Sequence, residues 1–161
     1  MSTLSVWRFD APDAADKAVS TLQDLVRQQL ISVHDAATVS WPVGAKKPKT
    51  RQLHDLAGAG ALGGAFWGML FGLLFLMPLL GAAIGAATGA LVGRLSDVGI
   101  DDEFIKRTKD EITPGKSALF VLTSDAVVDR VKQAFAGQRA ELLFTNLSTE
   151  QEQALREAFA D

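Results

Sequence analysis

The feature that most constrains this chain is a long uncharged stretch near its middle. Residues 56–93 contain no Asp, Glu, Lys, Arg or His, whereas both flanking segments are charged at ordinary density. A single small domain has too little surface to cover such a run, and apolar surface left in water is unfavourable. The stretch therefore predicts either a membrane segment or an element that is buried against other copies of the chain.

Two glycine series run through this stretch, each with a glycine at every fourth position. The first series is Gly60, Gly64, Gly68 and Gly72, and the second is Gly81, Gly85, Gly89 and Gly93. A mid-helix glycine costs about 1 kcal/mol relative to alanine in water, so these residues make a poor free helix. Between helices in hydrocarbon, glycine lets the backbones approach and make dispersion and Cα–H···O contacts. The repeats therefore predict two helix-packing faces.

Pro78 lies between the two series and predicts the turn of a helical hairpin over residues 56–95. Each arm would have about 17–20 residues and a length of roughly 26–30 Å, just enough to cross the hydrocarbon core of a bilayer. Basic residues on both sides of the hairpin predict that both arms return to the cytoplasmic side. Residues 73–80 contain no polar side chain. The turn would therefore stay within the bilayer or be buried against copies of itself.

A basic segment precedes the hairpin and contains Lys46, Lys47, Lys49 and Arg51. Beside a membrane segment, such residues are predicted to contact anionic lipid headgroups. A plain solvated turn is the alternative interpretation of the same residues.

The flanks predict two β-α-β units. In the first, alternation indicates strands at residues 3–9 and 33–43, an apolar stripe indicates a helix from Pro12 to about Gln29, and residues 49–54 return as a short polar strand. In the second, helices are predicted from Asp101 and over residues 125–136, with strands over residues 117–123 and 140–147. Ser148 and Gln151 form a capping box that would begin a terminal helix.

This order predicts an α+β fold with a ferredoxin-like β-α-β plus β-α-β domain, an inserted glycine-zipper transmembrane hairpin and an extra C-terminal helix. Residues 1–55 would form the first half of the α/β domain, residues 56–95 the hairpin, and residues 96–161 the second half. With its helices on one face, the sheet would offer its edges and an open face for self-association.

The composition argues against several classes of function. The net charge of −3 lacks the basic excess of a nucleic-acid binder, and the absence of cysteine removes disulfides and thiolate chemistry. The only histidines are His34 and His54; a metal site would need more ligands in convergent geometry, and a catalytic dyad would need a nucleophile held by a base. We therefore predict no catalytic, metal or cofactor site. The N-terminus lacks the basic and apolar regions of a signal peptide, so a cytoplasmic start is expected.

With these features in view, the chain resembles the domain of unknown function 1269 family of small bacterial predicted membrane proteins. The resemblance covers nearly the whole length. It depends on the strand and helix that open the chain up to Trp41, on the glycine-zipper hairpin and on the segment Pro114–Phe120. It implies an integral protein of the bacterial inner membrane, with both termini in the cytoplasm. It implies no activity, substrate or catalytic residue.

These observations predict a non-enzymatic membrane protein that self-associates through its α/β domain and its glycine zippers. It would be a homo-oligomeric membrane scaffold or organiser. A pore is the weaker version, because Thr88 is the only polar residue within residues 56–93. The alternative is a soluble oligomeric particle or binding module, whose hairpins bury one another or line an apolar ligand site. Trp67 and Phe66 would then be core-facing anchors, whereas in a membrane they would face lipid.

Overall fold

The fold is described from a computed structural model of the chain. The structure describes residues 2–46, 48–53, 100, 102–137, 140–148 and 150–151, together with Trp67, Leu70, Phe71, Leu74 and Phe75. In chain order the elements are β1 (Ser2–Phe9), α1 (Ala14–Arg27), β2 (Asp35–Ser40), β3 (Lys49–Gln52), α2 (Asp102–Glu111), β4 (Ser117–Ser124), α3 (Asp125–Ala134) and β5 (Glu141–Leu147). Apart from the terminal helix, the predicted strands and helices of both flanks are thus present in the predicted order.

The five strands form one sheet in the order β3-β2-β4-β1-β5, and every neighbouring pair is antiparallel. Without β3, the order β2-β4-β1-β5 is that of two split β-α-β units, as the sequence predicts. The chain is therefore a mixed α/β protein in which β1 and β4 lie at the centre of the sheet. The short strand β3 forms one edge and carries Lys49 and Arg51. Charged residues on a short edge strand oppose pairing with another sheet.

Strand β2 is shorter than the predicted range of residues 33–43. It ends at Ser40, because Pro42 lacks a backbone N–H and Gly44 adopts a φ of +87°. Val43, which fits the alternating pattern of a strand, instead lies at the tip of a turn with 82% of its surface exposed.

The N-terminus of α1 is held by a side chain from the central strand β4. The backbone N–H of Ala15 donates to Ser117 Oγ at 2.9 Å, and the Ser117 hydroxyl donates to the Ala11 carbonyl at 2.6 Å. A helix N-terminus leaves its first N–H groups without partners inside the helix. The buried Ser117 satisfies one of them and fixes the register of α1 against the sheet.

Helices α1 and α3 cover one face of the sheet. The buried residues on this face include Trp7, Phe9, Leu119 and Val121 from the strands and Ala15, Ala18, Val19, Leu22, Val131 and Phe135 from the helical layer. Phe135, at the end of α3, places its ring edge-on to that of Trp7 at 5.3 Å. The alternation of β1 directs its odd-numbered residues to this layer and its even-numbered residues to the opposite face.

The opposite face of the sheet is also covered, so the expectation of an open face is wrong. The strand residues there include Leu4, Val6, Val39, Phe120 and Leu122, and they pack with Phe104 and Ile105 of α2 and with residues of the uncharged stretch. Leaving these side chains in water would be unfavourable by about 25 cal/mol per Å² of apolar surface. A second apolar layer removes that cost and leaves no open sheet face for self-association among the described residues.

Most of the predicted hairpin lies outside the described residues. This applies to both glycine series, to Pro78 and to Phe66. Among the residues that the structure does describe, we find no helix with the length and apolar character needed to cross a membrane. The C-terminal capping box is confirmed: the Ser148 N–H donates to Gln151 Oε1 at 2.9 Å, and the Gln151 N–H donates to Ser148 Oγ at 3.1 Å. The rest of the predicted terminal helix lies beyond the described part of the chain.

Candidate functional site

Five residues of the uncharged stretch form a stripe that is docked on the sheet. The docked stripe consists of Trp67, Leu70, Phe71, Leu74 and Phe75, each at most 8% exposed. Their spacing is i, i+3, i+4, i+7 and i+8, which places them on one side of a helix. The first three are helical, and the last two lie in a π-helical turn. This part of the stretch therefore belongs to the core of the α/β domain.

The rings of the docked stripe pack around Phe120 of β4. Trp67 stacks on Phe71 with ring centroids 5.8 Å apart, and Phe71 stacks on Phe75 at 6.2 Å. Phe120 lies edge-on to Phe71 at 5.2 Å and to Trp67 at 6.3 Å. Edge-to-face pairs of this kind contribute about 0.5–1.5 kcal/mol beyond the area that they bury. The stripe is thus attached to the sheet by specific ring geometry as well as by burial.

The sequence identified Trp67 as a lipid-facing or core-facing anchor, and in the structure it faces the core. The docked stripe as a unit was not predicted. Its helical spacing is present in the sequence, but the residues between its members are also apolar or glycine. A stripe without polar contrast does not show which side of the helix is buried.

A turn after β2 lies at the end of the docked stripe. We call residues 41–46 the Trp41 loop. The Trp41 ring lies edge-on to Phe75 with centroids 5.7 Å apart, and its indole N–H donates to the Ala45 carbonyl at 3.0 Å. The Ala45 N–H donates to the Pro42 carbonyl at 3.1 Å, which closes a turn with Val43 and Gly44 at its tip. The Trp41 side chain therefore has two roles: its indole hydrogen bond closes the loop, and its ring contacts the docked stripe.

A second turn, residues 113–116, is joined to the Trp41 loop, and we call it the Gly115 turn. The Lys116 N–H donates to the Thr113 carbonyl at 3.1 Å, with Pro114 and Gly115 in the central positions of the turn. Two hydrogen bonds join the turn to the loop: the Gly115 N–H donates to the Trp41 carbonyl at 2.6 Å, and the Trp41 N–H donates to the Lys116 carbonyl at 2.9 Å. Together the two turns form one hydrogen-bonded end of the domain.

A substitution at Gly115 tests how tightly the two turns are packed together. Its φ is +92°, and a Cβ at this position would lie 3.2 Å from Val43 Cγ2. We expect Gly115→Ala to lower the free energy of unfolding by about 1–3 kcal/mol, because it adds both backbone strain and a tight contact. Gly44→Ala is the matched control. It has a φ of +87° with open space around the added methyl group, so a smaller loss of about 1 kcal/mol is expected. Urea unfolding of both variants measures the difference, and equal losses would contradict the tight contact.

The structure describes three of the four residues that are predicted to contact lipid headgroups. Lys46 and Lys49 are exposed, Arg51 is exposed and lies 3.4 Å from Asp16, and Lys47 falls outside the described residues. The structure adds Lys116, which the Gly115 turn brings beside the Trp41 loop. The sequence did not place Lys116 with the others, because it lies far along the chain on the other side of the uncharged stretch.

Arg8 forms an ion cluster at the same end of the sheet. Its guanidinium group contacts Asp10 at 3.0 Å, Glu111 at 3.2 Å and also Glu141, and its side chain is only 13% exposed. These contacts connect the end of β1 with α2 and β5. The carboxylates remain partly in water, so solvent screening reduces the strength of each pair.

We expect Arg8→Gln to lower the free energy of unfolding by about 1–2 kcal/mol at low salt, because three carboxylates lose their shared cation. The loss should shrink as salt is added, since screening weakens the repulsion that remains. Arg27→Gln is the control: its contact with Asp24 is 3.7 Å long and well exposed, so a change within about 0.5 kcal/mol is expected. Denaturant unfolding at two ionic strengths makes the comparison. An Arg8→Gln loss no larger than that of Arg27→Gln would show that the cluster adds nothing.

The described residues provide no group of three or more His, Cys, Asp or Glu side chains positioned to hold a metal ion. Of the two histidines, His34 donates its backbone N–H to the Leu122 carbonyl at 2.8 Å, and His54 lies outside the described part of the chain.

Comparison with known proteins gives a family match. The family model described as "Protein of unknown function (DUF1269)" matches residues 61–160. The matched part includes the docked stripe and the Gly115 turn, whereas the strand-helix opening up to Trp41 lies before it. No curated protein and no solved structure matches the chain.

Proposed function

This chain belongs to the DUF1269 family of proteins of unknown function, and on that premise we propose that it is a non-enzymatic membrane protein that self-associates and organises the membrane around it. The docked stripe is the main support for this proposal. It shows that one side of the uncharged stretch is attached to the α/β domain by Trp67, Phe71 and Phe75. We assign the rest of the stretch to contacts outside the domain.

The glycine positions fit that second role. Gly68 and Gly72 directly follow Trp67 and Phe71 in the sequence. Neighbouring residues on a helix are about 100° apart, since a turn has 3.6 residues. If the helical spacing at Trp67 continues through these positions, the glycine series would lie on a different side from the stripe. That side would be free to pack closely against another helix.

Self-association through the sheet has less support. Both faces of the sheet are covered, and the edge strand β3 is short and charged. We therefore place the main contact between copies in the glycine series, Gly60 to Gly72 and Gly81 to Gly93, with Pro78 at the turn.

The membrane part of the proposal depends on the length of the uncharged stretch and on the basic residues beside it. The segment after Phe75 and the second glycine series would enter the inner membrane of a bacterium. The α/β domain and both termini would face the cytoplasm, in keeping with the basic residues that flank the stretch. No cofactor is required by this role.

The docked stripe also favours a second candidate, a soluble oligomeric particle. Residues Trp67 to Phe75 are predicted by the sequence to lie in the first membrane arm, yet those that are described are buried against the sheet. In this alternative the remaining apolar surface would be buried between copies of the chain.

Fractionation separates the two candidates. The full chain is expressed, membranes are washed with carbonate and with high salt, and particle mass is measured with and without detergent. The membrane proposal predicts retention after both washes and a discrete oligomer only in detergent. Release by carbonate as a large particle that stays in solution without detergent would overturn it in favour of the soluble assembly.

A further inference from the structure

We infer that the Trp41 loop and the Gly115 turn together form the surface by which the α/β domain rests on an anionic bilayer. This inference depends on the proposed membrane association and adds the contact surface, its residues and the lipid chemistry that it recognises. Three independent properties of this end of the domain support it: its position relative to the uncharged stretch, its exposed apolar tip and its unpaired cations.

The position follows from the contact between Trp41 and Phe75. Phe75 is the last residue of the docked stripe, and its ring lies 5.7 Å from that of Trp41. Residues 76–80, which follow Phe75 in the sequence, are Leu, Met, Pro, Leu and Leu, and none of them is charged. A membrane that receives the part of the stretch after Phe75 would therefore lie next to the Trp41 loop.

The exposed tip is an apolar side chain on a hydrogen-bonded turn. Val43 is 82% exposed, although the turn around it is closed by hydrogen bonds from Ala45 and from the Trp41 indole. A turn that is already closed by hydrogen bonds loses little conformational entropy when its tip inserts into a surface. Val43 is thus suited to enter the boundary between headgroups and acyl chains.

The charges around the tip complement an anionic surface. Within the part of the chain that the structure describes, Lys46, Lys49 and Lys116 form no ion pair. The nearby carboxylates, in contrast, have basic partners within the domain. Asp16 lies 3.4 Å from Arg51, and Asp10 lies 3.0 Å from Arg8, which Glu111 and Glu141 also contact. Lys46 and Lys116 belong to the two joined turns that carry Val43 at their tip, where each adds attraction to anionic lipid.

The chain contains no cysteine, so one engineered cysteine can carry an environment-sensitive NBD fluorophore. We would label Val43→Cys in the full chain and reconstitute it into vesicles of phosphatidylcholine with increasing phosphatidylglycerol. Ser32→Cys is the matched control, because Ser32 is exposed and precedes β2, whereas the loop follows it. The length of β2 separates the two positions by roughly 20 Å.

We expect the fluorophore at position 43 to shift to the blue as phosphatidylglycerol is added, and the fluorophore at position 32 to remain as in buffer. Adding Lys46→Glu and Lys116→Glu should raise the phosphatidylglycerol fraction needed for the half-maximal shift by about fivefold or more. Arg27→Glu with Lys106→Glu changes the net charge equally at exposed sites elsewhere and should leave the response unchanged.

Flotation of the same vesicles distinguishes failure of the contact surface from failure of the membrane proposal. A chain that floats with the vesicles, but whose position-43 fluorophore does not respond to phosphatidylglycerol, overturns this contact surface and leaves the membrane proposal standing. A chain that does not float overturns both. A blue shift that follows protein concentration without lipid would identify a second copy of the chain as the partner, and would overturn the lipid assignment.

Discussion

Replacing Phe71 with alanine is expected to lower the free energy of unfolding of the α/β domain by about 3–5 kcal/mol, the usual loss for truncating a buried aromatic side chain. Phe71 is 8% exposed, and its ring contacts those of Trp67, Phe75 and Phe120. Urea unfolding followed by circular dichroism measures the loss. Val43→Ala is the control, because that side chain is mostly in water and its removal should change stability by no more than about 0.5 kcal/mol.

A double-mutant cycle with Phe120→Ala tests whether Phe71 acts through the sheet. The two rings are edge-on at 5.2 Å, so a coupling energy of about 0.5–1.5 kcal/mol is expected. An uncoupled pair, or a Phe71→Ala loss below about 1 kcal/mol, would mean that the stripe is not docked on the sheet in solution. Residues 67–75 would then be available to a membrane arm, as the sequence first suggests.

Combining Gly64→Leu with Gly85→Leu is expected to weaken self-association by about tenfold or more, while the α/β domain still folds. A leucine side chain at a close helix contact forces the backbones apart and removes the short-range dispersion contacts that hold them. The measurement is oligomer size by crosslinking and by mass photometry in detergent, with circular dichroism to confirm folding.

Ala65→Leu with Ala86→Leu is the matched control for the glycine test. Each alanine follows one of the two glycines, so the control adds similar volume about 100° away around the helix. The glycine faces are supported as the interface if only the glycine variant dissociates. An unchanged oligomer in the glycine variant would rule them out, and equal dissociation of both variants would point to a contact without a preferred face.

The strands and helices of the flanks could be predicted because turn residues bound them and because the helices carry an apolar stripe opposite a polar side. β1 alternates between Trp7 on one face and Val6 on the other, and α1 carries its apolar residues at helical spacing. The strand order follows from two right-handed β-α-β crossovers that share one sheet. These elements are specified by residues close together in the chain.

The docked stripe and the joined turns could not be predicted in the same way. Trp67 and Phe71 lie in a stretch that is apolar throughout, so a membrane arm and a buried layer satisfy the pattern equally well. The Trp41 loop and the Gly115 turn are brought together by backbone hydrogen bonds between distant parts of the chain. Their partnership depends on the register between β2 and β4, where Ser40 pairs with Ser117. That register exists only once the sheet has formed.

The central position of β1 sets the order of events during synthesis. β1 emerges first, yet both of its neighbours, β4 and β5, are translated only after the whole uncharged stretch: Ser2 pairs with Ser124 and with Leu147. At ordinary rates of translation the interval is on the order of 10 s. Throughout that time the first β-α unit has no sheet to complete, while the apolar segment is already leaving the ribosome. The sheet therefore closes only after the apolar segment has been synthesised, and under the membrane proposal insertion of that segment can begin before β4 is available.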